Sequence, residues 1–217
     1  MSERMAKPCY WDRAAHELAA ADPVMARIIE QHPQVNLASR GDAFGTLARS
    51  IVGQQISVKA ADSIWARVVK SCPELTPDKL RRKRVTTLRA CGLSERKVAY
   101  LRDLCDHFIT GRVDPSRFAE LDDEAIIAEL VDIHGIGRWT AEMFLIFNLL
   151  RPDVLPLDDL GLLKAVGLNY FEGESSANLL RGDGRRRVVA LAAAWAPWRS
   201  VATWYLWRSL DPVPVEY

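Results

Sequence analysis

The 217-residue chain has no uncharged apolar run of about 18 residues, the length a membrane-spanning helix requires. It also has no basic-then-apolar leader: Met1 to Lys7 runs into a polar helix, so the expectation is a soluble cytoplasmic protein. Four cysteines, Cys9, Cys72, Cys91 and Cys105, stand 63, 19 and 14 residues apart. Without a CxxC pair they support neither a zinc site nor an iron–sulfur cluster, and they read as reduced, mostly buried thiols. Excess charge is missing as well: 29 Lys and Arg against 28 Asp and Glu leave a net charge of +1. Any affinity for a polyanion therefore has to come from a local face of the molecule. No convincing apolar/polar alternation marks a strand, and no repeat or low-complexity tract marks a linker.

What is present is a hydrophobic share of 49% and a mean hydropathy of −0.07, enough for a sizeable core in one domain, in two lobes. Nearly every segment repeats its apolar residues with the 3.6-residue period, which predicts an all-α protein of about a dozen short helices. Capping residues followed by proline start helices at Asp22-Pro23, Thr76-Pro77 and Asp114-Pro115, and Gly53, Gly92, Gly111 and Gly167 mark turns or stops. Residues 172 to 184, EGESSANLLRGDG, read as the main loop, ahead of final helices from Arg185 to Trp195 and Trp198 to Leu210.

Two stretches carry chemistry. In DIHGIGRWTAEMFLIF, residues 132 to 147, Gly135 and Gly137 let the chain turn sharply between a helix ending near Val131 and another starting at Arg138. That makes a helix-hairpin-helix over about 122–150, either a plain interhelical turn or a phosphate site built from the second helix's N–H groups, with side chains of Arg138 and Thr140 added. In RPDVLPLDDLGLLKAV, residues 151 to 166, Asp158 and Asp159 precede an apolar helix. Either can be its N-cap, and a pair of acids invites a second role.

Three further features are open to two readings. Gln54-Gln55, at a turn between helices, is polar surface or a wedge that fills the gap left by an extruded base. The basic runs Lys79–Arg89 and Arg181–Arg187 are solvated faces or flanks of a DNA groove. Of the seven tryptophans, Trp11, Trp65, Trp195 and Trp204 are most simply core.

Taken together, GIGRWTAEMFLIF, LPLDDLG and the terminal WAPWRSVATWYLWR (195 to 208) resemble the HhH-GPD superfamily of DNA glycosylases, closest to its AlkA-like and MAG-like 3-methyladenine branch. IVGQQISVKAA (51 to 61) and CGLSERKVAYL (91 to 101) resemble that branch too, so the likeness runs from about residue 10 to about residue 210. The resemblance implies a two-lobed all-α fold over residues 1–217, with Asp159 as the catalytic carboxylate in a cleft and Asp158 as cap or scaffold. Trp139, Met143 and Trp207 would line the base pocket. Gln55 would be the wedge, with Ser57 beside it, and His134, Gly135, Ile136, Gly137, Arg138 and Thr140 would meet DNA. Carbonyls of Val131, Ile133 and Ile136 would hold Na⁺ or K⁺, with no other cofactor required.

Trp139 stands where bifunctional relatives of the endonuclease III branch hold a lysine. An indole forms no Schiff base, so the implied activity is monofunctional. The chain departs from the branch in lacking the N-terminal β-rich domain of the AlkA-like proteins, in Met143 where some relatives carry tyrosine, and in His134 where proline or lysine is frequent. His134 is itself a solvated turn residue or a phosphate contact. The partner implied is double-stranded DNA with alkylated bases, bound by a monomer in a bacterial nucleoid, with no membrane involved. The alternatives are a helix-hairpin-helix module that only grips DNA and a bifunctional glycosylase/lyase.

Overall fold

A helix leaves its first N–H groups without partners inside the helix, and this chain places Asp, Ser or Thr at most helix starts to accept them. The computed structural model describes residues 7–33, 36–39 and 41–210, so nearly all of Met1–Lys7 lies outside it. Thirteen α-helices follow in order: α1 (Trp11–Ala21), α2 (Pro23–Gln31), α3 (Ala43–Gly53), α4 (Val58–Ser71), α5 (Pro77–Arg81), α6 (Val85–Ala90), α7 (Glu95–Ile109), α8 (Asp123–Val131), α9 (Arg138–Phe147), α10 (Leu160–Tyr170), α11 (Ser176–Leu179), α12 (Gly182–Ala192) and α13 (Arg199–Leu210). No strand occurs among the described residues, and no helix there is long and apolar enough to cross a membrane.

The chain divides into two compact units, one formed by Met1–Ser39 with Leu145–Tyr217 and the other by Arg40–Phe144. In the first unit, Leu18, Met25, Ile28, Leu162, Leu163 and Leu206 are buried. Trp11 meets Trp204 edge-on at 6.5 Å between centroids. One buried carboxylate ties three segments of this unit together. Asp22 caps α2 through Val24 N (2.8 Å) and Met25 N (3.2 Å), and its other oxygen accepts Tyr170 Oη at 2.7 Å and Trp195 Nε1 at 3.0 Å. Burial is the main cause that holds the Tyr170 hydroxyl far above its ordinary pKa. In the second unit, Phe44 packs edge-on against Phe108 at 5.3 Å, over buried Leu47, Ile51, Leu101 and Leu104.

Several expectations need correction. Gly167 is neither a turn nor a stop but lies inside α10, where a Cβ would collide with the carbonyl oxygen of Glu174. Residues 172 to 184 are not one loop: Ser175 caps the short α11 through Asn178 N at 3.4 Å, and α12 already begins at Gly182. Asp114-Pro115 starts only a 3-10 turn, Pro115–Arg117. Trp65 is half-buried, whereas Trp11, Trp195 and Trp204 are core. All four cysteines are free thiols, with Cys9 exposed and the others buried; burial pushes Cys105 up to about 12.

Because Asp22 combines a cap with two hydrogen bonds from buried donors, Asp22→Ala should cost about 3 kcal/mol of stability, read by denaturant unfolding.

Candidate active site

The acid loop of the first unit is fastened to the start of α13. Ser200 Oγ accepts Val154 N at 2.9 Å, Ser200 N donates to the Pro152 carbonyl at 3.0 Å, and Arg199 grips both carboxylate oxygens of Asp153 at 2.7 Å. The helix holding this loop carries Trp207 two turns further on. Asp159 ends the loop in an extended conformation (φ −79°, ψ 112°) and is only 5% exposed. Its Oδ1 accepts two hydrogen bonds, from Leu162 N at 2.5 Å and from Trp207 Nε1 at 2.9 Å. The Trp207 ring stacks on Phe147, with centroids 5.7 Å apart and planes 9° from parallel. Two of the predicted residues, Asp159 and Trp207, are thus in direct contact.

This geometry corrects the cap half of the reading of Asp158 as cap or scaffold. The cap is Asp159 itself, because its Oδ1 reaches Leu162 N, and Asp158 is instead exposed and paired with Arg185 Nη1 at 2.7 Å. Leu160, between the capping acid and the helix interior, is 60% exposed. With Asp158, Leu180, Arg181, Gly182 and Arg185 it lines an open concavity of about 610 Å³. Arg208 is buried, its guanidinium 4.5 Å from the centre of the Trp204 ring.

In the second unit, α8 and α9 form the expected hairpin. Gly135 takes a left-handed φ of +88°, and a Cβ there would overlap the ring of Tyr100. Only this first glycine is left-handed; Gly137 is not, and a Cβ added to it would meet nothing within 4 Å. As the residue before α9, Gly137 has no side chain with which to cap it, and the first α9 bond to it is Ala141 N to Gly137 O at 3.0 Å.

The hairpin is held from several sides. Asp103 Oδ2 accepts His134 N at 2.7 Å and faces His134 Nδ1 at 2.9 Å. Burial pushes the Asp103 carboxyl up, but the two His134 hydrogen bonds and the charges of His107 and His134 outweigh it and leave the pKa low. Gln54 Nε2 donates to the Gly135 carbonyl at 2.7 Å, so the α3–α4 turn is bonded to the hairpin. Gln54 and Tyr100 lie in stretches that the family likeness covers, and Asp103 lies outside them; only the fold brings the three to Gly135.

The predicted DNA contacts divide accordingly. His134 is 79% exposed, a solvated turn residue whose ring is tied to Asp103. Arg138 is drawn away, its guanidinium holding both oxygens of Glu124 and reaching Glu142 Oε1 at 2.9 Å; that bidentate grip lowers the Glu124 pKa. Thr140 is only 7% exposed, so little of it faces solvent. Ile136 is buried with its N–H committed to the Ile133 carbonyl at 3.0 Å. Trp139 is half-buried and Met143 buried, and at i and i+4 they share a face of α9. Gln55 stands exposed at the tip of the α3–α4 turn with φ +59°, a conformation that non-glycine residues rarely adopt. Ser57, also exposed, uses its hydroxyl to cap α4 through Ala60 N at 3.3 Å.

Both basic runs are laced with acids. Lys79 pairs with Glu74, Arg81 with Asp106 at 2.7 Å and Arg89 with Glu95 at 3.7 Å. Arg185, Arg186 and Arg187 pair with Asp158, Asp183 and Glu174.

The two acids should therefore separate on stability. Asp159→Ala removes a cap and leaves the buried Trp207 N–H without this acceptor, for a loss of about 2–4 kcal/mol. Asp158→Ala breaks an exposed ion pair and should cost under about 1 kcal/mol. Unfolding of the two variants in urea checks the order.

The model of the HhH-GPD superfamily base excision DNA repair proteins matches residues 48–180, more than half of the chain. A DNA-3-methyladenine glycosylase of Schizosaccharomyces pombe is 35% identical over 77% of this chain and 72% of its own length. A DNA-3-methyladenine glycosidase of Bacillus halodurans, solved as a crystal structure, superposes with a TM-score of 0.81 at 36% identity, covering 91% of this chain and 89% of that one. A Schizosaccharomyces pombe 3-methyladenine DNA glycosylase, solved in complex with abasic DNA, gives 0.78 at 28% identity over 94% and 98% of the two chains. With its all-helical fold, its hairpin and its acid loop, the chain belongs to the HhH-GPD superfamily of base excision DNA repair proteins.

Proposed function

We propose that this chain is a monofunctional DNA glycosylase that extrudes alkylated purines, 3-methyladenine and 7-methylguanine, from double-stranded DNA and hydrolyses their N-glycosidic bond. The observation that carries this reading is the Asp159 carboxylate, buried at a helix start and fixed through Oδ1 by two donors. As the bond from C1′ to the base breaks, the base leaves with the bonding pair and the sugar becomes oxocarbenium-like. A pre-oriented carboxylate stabilises that charge and orients the water that adds to C1′, whose proton is lost to solvent. Trp207 takes the base-pocket role that the family likeness implies. Aromatic faces favour a cationic ring, by about 0.5–2 kcal/mol each. Methylation at N3 of adenine or N7 of guanine puts that charge on the base, which then departs neutral without needing a general acid.

DNA is gripped through backbone groups. Gly137 presents open space and no side chain of its own at the helix start, which suits the close approach of a phosphate. Gln55 is the wedge. The carbonyls of Val131, Ile133 and Ile136 suit a hard monovalent cation: Val131 ends α8, where carbonyls lack helical partners, and Ile133 O keeps a lone pair beyond its bond from Ile136 N. The protein acts as a monomer.

Incubation of methylated duplex DNA with the protein should release 3-methyladenine and 7-methylguanine, and Asp159→Asn, which keeps an oxygen for the cap, should lower single-turnover release at least about 100-fold. Uracil should leave far more slowly, and borohydride should trap no covalent adduct. Equal rates for uracil and 3-methyladenine would sink the leaving-group argument.

The two hairpin glycines should fail in different ways. Gly137→Ala should cost no more than about 1 kcal/mol of stability, yet weaken binding to undamaged duplex at least about fivefold. Gly135→Ala should cost more than about 2 kcal/mol, because of its left-handed φ and the Tyr100 ring. Fluorescence anisotropy and urea unfolding check the pair.

A further inference from the structure

Gly161 is the second residue of α10, and nothing in its backbone asks for glycine, since its φ is not left-handed. Alanine would be the better helix former there. What a side chain would meet is the catalytic contact itself. A Cβ at 161 would lie 3.1 Å from Asp159 Oδ1, 3.3 Å from Trp207 Nε1 and 3.4 Å from Trp207 Cδ1. The Trp207–Asp159 hydrogen bond, 2.9 Å long, passes beside this missing atom. Neither partner can step aside easily: Oδ1 is also held by Leu162 N at 2.5 Å, and the indole is stacked on Phe147 with planes 9° from parallel.

We infer that Gly161 is a positioning residue, kept without a side chain so that the Trp207 N–H can reach Asp159 Oδ1 and fix the carboxylate for the reaction. The inference rests on the catalytic role proposed for Asp159. Gly161 touches no substrate and acts only through the Asp159–Trp207 contact. Trp207 then has two functions, as an aromatic wall and as a hydrogen-bond donor that sets which way the carboxylate faces. A displacement near 1 Å at a reacting group can cost about 100-fold in rate. The few tenths of an ångström needed to accept a Cβ should cost less.

The test is single-turnover release of 3-methyladenine from methylated duplex by wild type, Gly161→Ala, Trp207→Phe, the double variant and Asp159→Asn. Gly161→Ala should slow release by about tenfold or more, bind undamaged duplex normally, and melt within about 3 °C of wild type. In the Trp207→Phe background, where no N–H remains to be misplaced, the same change should cost less than about threefold. Release by Gly161→Ala at the wild-type rate, a loss that only tracks its folded fraction, or an equal loss in both backgrounds would overturn the inference. If Asp159→Asn releases base like the wild type, the proposed function fails instead; if it is inactive while Gly161→Ala is fully active, only the role of Gly161 falls.

Discussion

The unpaired N–H groups at a helix start are the constraint on which both ends of this protein's chemistry depend. At α10 the need is met from within: Asp159 accepts Leu162 N, and in doing so its carboxylate is buried and immobilised where Trp207 can reach it. At α9 the residue before the helix is Gly137, which has no side chain to offer as a cap. The same backbone chemistry thus fixes a carboxylate in one unit and shapes an open glycine turn in the other.

Rigidity at Asp159 comes from bonds to α13. Its loop is fastened to Arg199 and Ser200 at the start of that helix, and Trp207 projects from the same helix onto the carboxylate. Distance between loop and indole is then set by one rigid rod, so the acid meets its partner without a conformational search. The cost is specificity of sequence around it: a serine that must bridge to Val154, and a glycine that must leave room.

Charge is handled sparingly. Each basic run has three cations matched with acids, and even Arg138, next to the hairpin, is held by Glu124 and Glu142. A chain with a net charge of +1 can still bind a polyanion if dipoles and backbone donors supply the local positive field. The His134 ring is mostly exposed and fixed through Nδ1 by Asp103.

Much was legible in the residues alone. Helical class, the hairpin between Val131 and Arg138, and the acid loop followed from the 3.6-residue period, from glycine at a turn, and from capping chemistry, all of which act over a few neighbouring residues. Those local rules also misled: they made Gly167 a turn or stop, spread residues 172 to 184 into a loop, and left the cap open between Asp158 and Asp159. Packing and hydrogen-bond partners decided otherwise. The carbonyl of Glu174 fills the place of a Cβ on Gly167, and the indole of Trp207 selects Asp159. Sequence determined which groups were available and where helices could begin, because propensity and capping are local. Tertiary structure alone decided which acid is buried, which arginine is spent on an ion pair and which glycine leaves space, because burial and hydrogen-bond partnership depend on residues that only folding brings together.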